Sequence, residues 1–104
     1  LLRGGENVYC AEVEAAIYEH PAIAEAAVFA VPDDRHGEVV GVAVVLLPDV
    51  DLSADGLREH TRTLIAGFKV PEHVWFLDDS LPRNANGKFV KRTLRDDLVG
   101  TPTA

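Results

Sequence analysis

The sequence predicts a small α+β domain. We expect a small mixed sheet of about three strands flanked by about three helices, plus an N-terminal two-stranded hairpin. Short apolar runs rich in β-branched residues alternate with segments whose apolar residues recur at helical spacing, and Gly, Pro and Asn clusters separate them. A length of 104 residues fits one domain, and an apolar fraction of 47% is ordinary for a globular chain.

The N-terminal segment predicts the hairpin and a first helix. Residues 1–2 and 8–9 flank the turn RGGEN and would pair as the two short strands. A helix should run from about residue 11 to residue 19, because apolar side chains recur there three and four residues apart. The members of this apolar stripe are Val13, Ala16 and Ile17.

Three apolar runs predict the sheet. Residues 25–31 and 73–77 predict strands, and residues 39–47 predict a buried central strand because they are β-branched and almost continuously apolar. Between the runs 39–47 and 73–77, Ser53 is a candidate N-cap for a helix over about residues 54–66. The order strand, helix, strand predicts that the two flanking strands are parallel.

The C-terminal segment predicts a turn, LPRNANG, followed by a short basic helix and a disordered tail over residues 99–104. By spacing alone, the basic cluster fits either a local anion site or a solvated helix face. Lys88 is likewise either a surface turn residue or a charge delivered to a reacting group. Half of the ten Lys and Arg residues lie here, with the last three expected to face outward: Arg83, Lys88, Lys91, Arg92 and Arg95.

Composition excludes several classes of protein. A net charge of −7 argues against a general nucleic-acid binder, which needs a basic face. The single cysteine, Cys10, cannot form an internal disulfide, which fits a reducing, cytoplasmic compartment. No apolar run is long enough to span a bilayer, and no secretory signal is visible. The chain contains no methionine, so we expect an excised domain of a larger protein.

Four blocks of sequence occur in one order: RGGENVYCAEVE, VPDDRHGEVVGVAVV, GFKVPEHVWFLDDSLPRNANGK and KRTLR. In that order they resemble the small C-terminal domain of the adenylate-forming enzymes. This superfamily contains acyl- and aryl-CoA synthetases, adenylation domains of nonribosomal peptide synthetases, and firefly luciferase. The resemblance covers about residues 1–98 and is strongest to fatty-acid CoA ligases.

The resemblance implies an AMP-forming acid–thiol ligase with ATP, coenzyme A and a carboxylic (fatty) acid as substrates. It also implies a large N-terminal domain of the same chain, outside this sequence, that holds the phosphate-binding loop, the acyl pocket and Mg²⁺. The hinge between the two domains would lie just upstream of Leu1. We therefore expect the fragment alone to be inactive, to bind none of these molecules and to contain no metal site.

The resemblance gives Lys88 the adenylation step. The substrate carboxylate and the α-phosphate of ATP are both negative, so a mobile ammonium between them offsets their repulsion and stabilises the charge of the transition state. Gly87 keeps the approach open, and Asn86-Gly87 lets the loop bend. Lys88 is the candidate catalytic residue.

The resemblance also implies a second active face, used for thioester formation. Gly4 and Gly5 look like walls of a narrow pantetheine passage where a Cβ would intrude, and Glu6 looks like a positioning residue. An ordinary hairpin turn is the alternative. In this family the domain rotates about its hinge as a rigid piece and presents Lys88 first and the glycine turn second.

Three further residues resemble contacts to coenzyme A or the nucleotide. The ring of His36 would pack on the pantetheine or the nucleotide, Phe68 would lie beside the adenine, and Lys69 would reach a phosphate. His36 equally fits a plain loop residue, and Phe68 equally fits the apolar stripe of its own helix. Val70 and Glu72 replace basic residues that some relatives carry, and a glutamate there would repel phosphate.

Two other functions stay open. The chain can belong to an adenylation domain that loads a carrier protein, or it can be a non-enzymatic α+β binding module that does not depend on Lys88. Cys10 stands where the family usually has proline at the start of a helix. We expect it to be a small packed side chain and not a catalytic thiol.

Overall fold

The structure is a computed structural model that describes residues 8–35 and 37–101. It has the predicted α+β composition, with three α-helices and a three-stranded mixed sheet in the described residues. A single 3₁₀ turn, Gly67–Lys69, precedes the last strand. In chain order the elements are α1 (Val8–Tyr18), β1 (Ile23–Asp33), β2 (Gly37–Leu46), α2 (Ala54–Arg62), β3 (His73–Phe76) and α3 (Lys91–Leu98).

The sheet has the order β1-β2-β3, so β2 is the central strand, as its continuous apolarity predicts. β1 and β2 pair antiparallel with Val28 opposite Val42, and β2 and β3 pair parallel with Val42 opposite Val74. α2 lies between β2 and β3 in the chain, and the two strands are parallel, which confirms the predicted strand, helix, strand unit. Ser53 caps α2 by accepting a hydrogen bond of 2.9 Å from the backbone N–H of Gly56.

Helices cover both faces of this sheet, and each face has its own apolar cluster. α1 and α2 cover the first face, where Val13, Ile17 and Leu57 are fully buried against even-numbered residues of β1 and β2. α3 covers the second face, where Leu94 packs with Phe29 and Trp75. Cys10 is 3% exposed in the first cluster, which fits the expected packed side chain.

An irregularity in β1 changes which side chains reach each face. Ile23 pairs with Leu46 and Glu25 pairs with Val45, so one extra residue lies between them on β1. Side chains alternate along a strand, and Ile23 belongs to the first cluster. The extra residue therefore directs Glu25 to the second face, where it meets the segment that follows β3.

The outer edge of β1 is covered by side chains of α1. The hydroxyl of Tyr18 accepts a hydrogen bond of 2.9 Å from the backbone N–H of Ala26 and donates one of 3.3 Å to its carbonyl. A carboxylate oxygen of Glu14 accepts from the backbone N–H of Val28 at 2.8 Å. These N–H groups point away from β2 and would otherwise have no strand partner.

Two predicted element boundaries are wrong. Residues 8–9 form the first turn of α1 and not a hairpin strand, because burial of the helix against the sheet outweighs the strand preference of Val and Tyr. Residues 1–2, the other predicted strand, lie outside the described residues. α2 ends at Arg62 and not at 66, and the chain turns through Thr63 to Lys69, leaving Leu64 44% exposed.

Ordered packing at the C-terminal end continues beyond residue 98, where the sequence predicts that the disordered tail begins. Val99 packs against the second cluster, and the carbonyl of Thr101 accepts a hydrogen bond of 3.4 Å from the indole of Trp75. Residues 102–104 of the predicted disordered tail lie outside the described residues. None of the helices within residues 8–35 and 37–101 has the length and apolarity needed to cross a membrane.

Candidate functional site

Lys88 lies on a tight hairpin, residues 82–90, that joins β3 to α3 and is called the lysine hairpin below. Arg83 and Phe89 form an isolated antiparallel bridge, and the N–H of Val90 donates to the carbonyl of Pro82 at 2.9 Å. The N–H of Gly87 donates to the carbonyl of Asn84 at 2.9 Å and closes the turn. The segment that the sequence predicts as a flexible turn is therefore a hydrogen-bonded hairpin.

Asn84 fixes the backbone on both sides of the turn. Its N–H donates to the carbonyl of Lys88 at 2.8 Å. Its side-chain oxygen accepts from the N–H of Asn86 at 2.9 Å and from the N–H of Lys88 at 3.1 Å. Gly87 completes the turn with a φ of +82°, which glycine adopts without strain. The backbone of Lys88 is held while its side chain is exposed.

Glu25 anchors the first arm of the lysine hairpin to β1. One carboxylate oxygen accepts from the N–H of Leu81 at 2.7 Å, and the other lies 3.5 Å from a guanidinium nitrogen of Arg83. Arg83 also donates to the carbonyl of Gly87 at 2.7 Å and lies over the ring of Phe89, 4.2 Å from its centroid. Arg83 thus braces the hairpin internally and against the sheet.

Glu14 anchors the second arm through Lys91, the first residue of α3. The Nζ of Lys91 lies 2.6 Å from the Oε2 of Glu14, and both side chains are 23% exposed. The prediction that Lys91 faces outward is therefore wrong, because a carboxylate of α1 lies within reach of the first turn of α3. Arg92 is exposed as predicted, and Arg95 is partly exposed beside Asp96 at 3.9 Å.

A groove of about 580 Å³ opens between α1, the lysine hairpin and the start of α3. Its charged lining has three cations and one carboxylate, but Arg83 and Lys91 are paired with Glu25 and Glu14. Lys88 forms no ion pair with the residues in the ranges 8–35 and 37–101. Its ammonium is therefore the cation of this groove that can meet an incoming anion. The groove residues are Glu14, Arg83, Gly87, Lys88, Phe89 and Lys91.

Lys69 lies elsewhere, at the end of the 3₁₀ turn. Its Nζ lies 2.7 Å from the Oε1 of Glu12 on α1, and its side chain is 16% exposed. The predicted phosphate contact of Lys69 remains a prediction, with a carboxylate now known to compete for the ammonium. Of the other predicted contacts, Phe68 contributes its backbone to the same turn. Its side chain lies outside the described part, as do four whole residues: Gly4, Gly5, Glu6 and His36.

Two carboxylates of α1 that the sequence analysis missed hold Lys69 and Lys91. Glu12 and Glu14 are two residues apart on α1, which places them roughly 200° apart around the helix axis. Glu12 pairs with Lys69 on one side, and Glu14 pairs with Lys91 on the other. The signal was present in the motif AEVE, where two acids flank the fully buried Val13.

The described residues offer no metal site. No group of three or more His, Cys, Asp or Glu side chains lies close enough together to hold an ion.

The sequence and the fold of this chain are matched in known proteins. Residues 12–88 match the AMP-binding enzyme C-terminal domain family. This chain belongs to that family. The resemblance carried by the four sequence blocks is thus confirmed, and the match ends at Lys88.

Curated relatives of this family member include ligases with different acceptors. It is 47% identical over 96 residues to 3-[(3aS,4S,7aS)-7a-methyl-1,5-dioxo-octahydro-1H-inden-4-yl]propanoyl:CoA ligase of Rhodococcus jostii, covering 92% of this chain and 18% of that protein. It is 43% identical over 100 residues to the fatty acid–[acyl-carrier-protein] ligase ScoC of Streptomyces coeruleorubidus, covering 96% and 19%. The chain thus spans about a fifth of the length of these relatives.

Solved structures give the same picture. The Mycobacterium tuberculosis fatty acyl CoA synthetase matches with a TM-score of 0.82 and 37% identity over 97% of this chain and 20% of that one. The amide bond synthetase McbA from Marinactinospora thermotolerans matches with a TM-score of 0.83 and 36% identity over 89% and 19%. The fold of the described residues is the fold of this domain.

Proposed function

We propose that this chain is the mobile C-terminal domain of an AMP-forming ligase that activates a fatty or related carboxylic acid with ATP and transfers it to coenzyme A. The observation that carries the proposal is the Lys88 ammonium. It stands on a braced hairpin at the edge of a groove whose other cations are already paired. A large domain of the same chain would supply the acyl pocket and most of the nucleotide site.

Lys88 acts in the first half-reaction. A carboxylate oxygen of the acid attacks the α-phosphorus of ATP and forms a new oxygen–phosphorus bond. The bond from the α-phosphorus to the oxygen that bridges to the β-phosphorus breaks, and pyrophosphate leaves with that oxygen. The ammonium of Lys88 donates hydrogen bonds to the oxygens on which negative charge accumulates, and it transfers no proton. The hydrogen bonds of Asn84 to the Lys88 backbone support this role, because charge stabilisation is strongest when the donor is already in place.

The second half-reaction uses the other side of the domain. Beside the glycine turn of Gly4, Gly5 and Glu6, the sulfur of coenzyme A attacks the acyl carbon and forms a carbon–sulfur bond. The bond from the acyl carbon to the phosphate oxygen breaks, AMP leaves with that oxygen, and the thiol proton passes to solvent. Lys69, with Phe68 and His36, contributes contacts to coenzyme A. The placement of Glu12 and Glu14 on opposite sides of α1 supports this division, since one rigid body can present two sides in turn by rotating about a hinge.

A carrier protein is the second candidate acceptor. The relative ScoC, named as a fatty acid–[acyl-carrier-protein] ligase, is 43% identical to this chain, close to the 47% of the CoA ligase. Incubating the full-length enzyme with ATP, a fatty acid and either coenzyme A or a phosphopantetheinylated carrier protein separates the two. We expect acyl-CoA to form faster. We also propose a cytoplasmic location, where the buried Cys10 would stay reduced.

The test of the proposed role is Lys88→Ala in the full-length enzyme. The single-turnover rate of acyl-adenylate formation should fall by about 10²–10³-fold, as for other preorganised charge stabilisers. Thioester formation from pre-made acyl-adenylate should stay near the wild-type rate.

Arg92→Ala is the matched control, because Arg92 belongs to the same basic cluster but is exposed and outside the groove. It should leave both half-reactions unchanged. If Arg92→Ala slows adenylation as much as Lys88→Ala, the cluster acts as a diffuse anion patch and the specific role of Lys88 is wrong. If Lys88→Ala slows neither step, the adenylation role of Lys88 is wrong, because the enzyme then works without its ammonium.

A further inference from the structure

We infer that Glu14 is a positioning residue for the adenylation step. Through its ion pair with Lys91 it holds the second arm of the lysine hairpin against α1 and β1, and so determines where the Lys88 ammonium is presented. The inference rests on the proposed function of Lys88 and extends it to a residue on a different element.

The chain between the ion pair and Lys88 is short and ordered. Lys91 is three residues from Lys88, so a fully extended chain between them covers roughly 10 Å. Val90 belongs to both elements, because it precedes the first residue of α3 and its N–H donates to the carbonyl of Pro82 across the hairpin. A shift of Lys91 is therefore transmitted to Lys88 through a backbone that has little slack.

Glu14 holds more than one element. The same oxygen that contacts Lys91 accepts the N–H of Val28 from β1. This second bond fixes the carboxylate, so that Lys91 pairs with an acceptor that cannot follow it freely. An ion pair of two side chains that are each 23% exposed is also less screened than a surface pair.

Glu14 also controls the charge of the groove. It is the carboxylate of the groove lining, and it neutralises a lysine that lies in the same groove as Lys88. Without that carboxylate charge, the lining of the groove has one negative charge fewer, and its net charge becomes more favourable to the phosphates and the acid without placing them for reaction. Loss of Glu14 should therefore lower kcat for adenylation without raising KM for ATP.

The experiment uses Glu14→Gln in the full-length enzyme. The amide keeps an acceptor for the N–H of Val28 but removes the charge that binds Lys91. Acyl-adenylate formation in single turnovers should slow by roughly 10–100-fold, the scale of a misplaced reacting group. KM for ATP should stay the same or fall, and thioester formation from pre-made acyl-adenylate should stay within about twofold.

Three further variants identify the ion pair as the cause. Lys91→Gln should show the same defect, the double variant Glu14→Gln/Lys91→Gln should be no worse than either single one, and Lys91→Arg should recover most of the rate. Glu59→Gln is the control, because Glu59 is also in an ion pair, with Arg62 at 2.7 Å, but is exposed on α2. It should leave both half-reactions unchanged.

Each result decides between the roles. If Glu14→Gln adenylates within twofold of wild type while Lys88→Ala does not, the positioning role is wrong and the proposed function stands. If Glu14→Gln slows both half-reactions equally and lowers the thermal unfolding midpoint, Glu14 is only structural and the inference fails. If Lys88→Ala itself adenylates normally, the proposed function and the inference fall together.

Discussion

Trp75 packs so closely over Gly41 that no side chain fits between β2 and the rings of the second cluster. A Cβ atom at position 41 would lie 3.0 Å from Cζ3 of Trp75 and 2.5 Å from a methyl carbon of Val31. Phe29 stacks on the same tryptophan, with ring centroids 5.7 Å apart. The close packing of the aromatic layer beneath α3 thus requires a residue without a side chain at position 41.

Gly41→Ala should therefore destabilise the domain. Overpacking a core of this kind costs about 1–3 kcal/mol, because Val31 and Trp75 are both buried and have little room to shift. Urea unfolding of the expressed domain measures the change. Gly67→Ala is the control, since a Cβ there meets no atom within 4 Å. Equal stability of the two variants would contradict the packing argument.

Gly87→Ala should slow adenylation. A Cβ at position 87 meets nothing within 4 Å, but the φ of +82° is strained for alanine by about 1–2 kcal/mol. The hairpin would relieve this strain by changing its turn, which moves Lys88. Gly87→Asn should be milder because asparagine tolerates positive φ. Single-turnover adenylation rates compare the variants, and a Gly87→Asn enzyme slower than Gly87→Ala would exclude backbone strain as the cause.

Gly5→Leu should obstruct thioester formation in the full-length enzyme while leaving adenylation largely intact. The reason is the paired glycine turn, where we expect a side chain to occupy the pantetheine passage. Pyrophosphate exchange reports the first half-reaction, and release of acyl-CoA reports the second. Equal loss of both activities would count against a passage at this turn.

Lys69→Ala should raise KM for coenzyme A if the ammonium reaches a phosphate. Glu12→Gln separates this role from a structural one, because it breaks the same 2.7 Å ion pair but leaves the ammonium in place. We expect Lys69→Ala to raise KM several-fold and Glu12→Gln to leave it unchanged or lower it. If the two variants change KM equally, the ion pair stabilises the fold and Lys69 has no direct contact with coenzyme A.

The expressed domain alone should fold cooperatively, since both apolar clusters are complete within it. It should have no ligase activity and bind no ATP. The groove beside Lys88 has little net positive charge, because Arg83 and Lys91 are paired with carboxylates. Calorimetric titration with ATP tests this. Tight binding would contradict the proposal that the large domain supplies most of the nucleotide site.

The kinds of element could be predicted from local patterns, but their ends could not. The β-branched run of β2 and the stripe of Val13 and Ile17 report burial directly, so strand and helix were recognisable there. The helical start at residues 8–9 and the early end of α2 at Arg62 depend on how far each helix stays in contact with the sheet. A single extra residue before Glu25 leaves no local signature at all.

The candidate site shows the same limit. The position of Lys88 directly after an Asn-Gly turn is a local feature that can be seen in the sequence, and the family resemblance supplies the role proposed for it. The orientation of Lys91 was not, because its partner Glu14 lies near the other end of the chain and only the packing of α3 across the sheet brings them together. The sequence therefore predicted that Lys91 faces solvent, whereas in the structure it lines the groove.

Under the proposed mobile-domain function, the covered edge of β1 has a further consequence. A domain that turns on its hinge in every cycle uncovers surfaces that face its partner for the rest of the time, and an open strand edge among them would invite addition of a strand from another molecule. Tyr18 and Glu14 already occupy the outward N–H groups of Ala26 and Val28. A foreign strand would have to displace both side chains first, so this edge resists aggregation at the high concentrations found in cells.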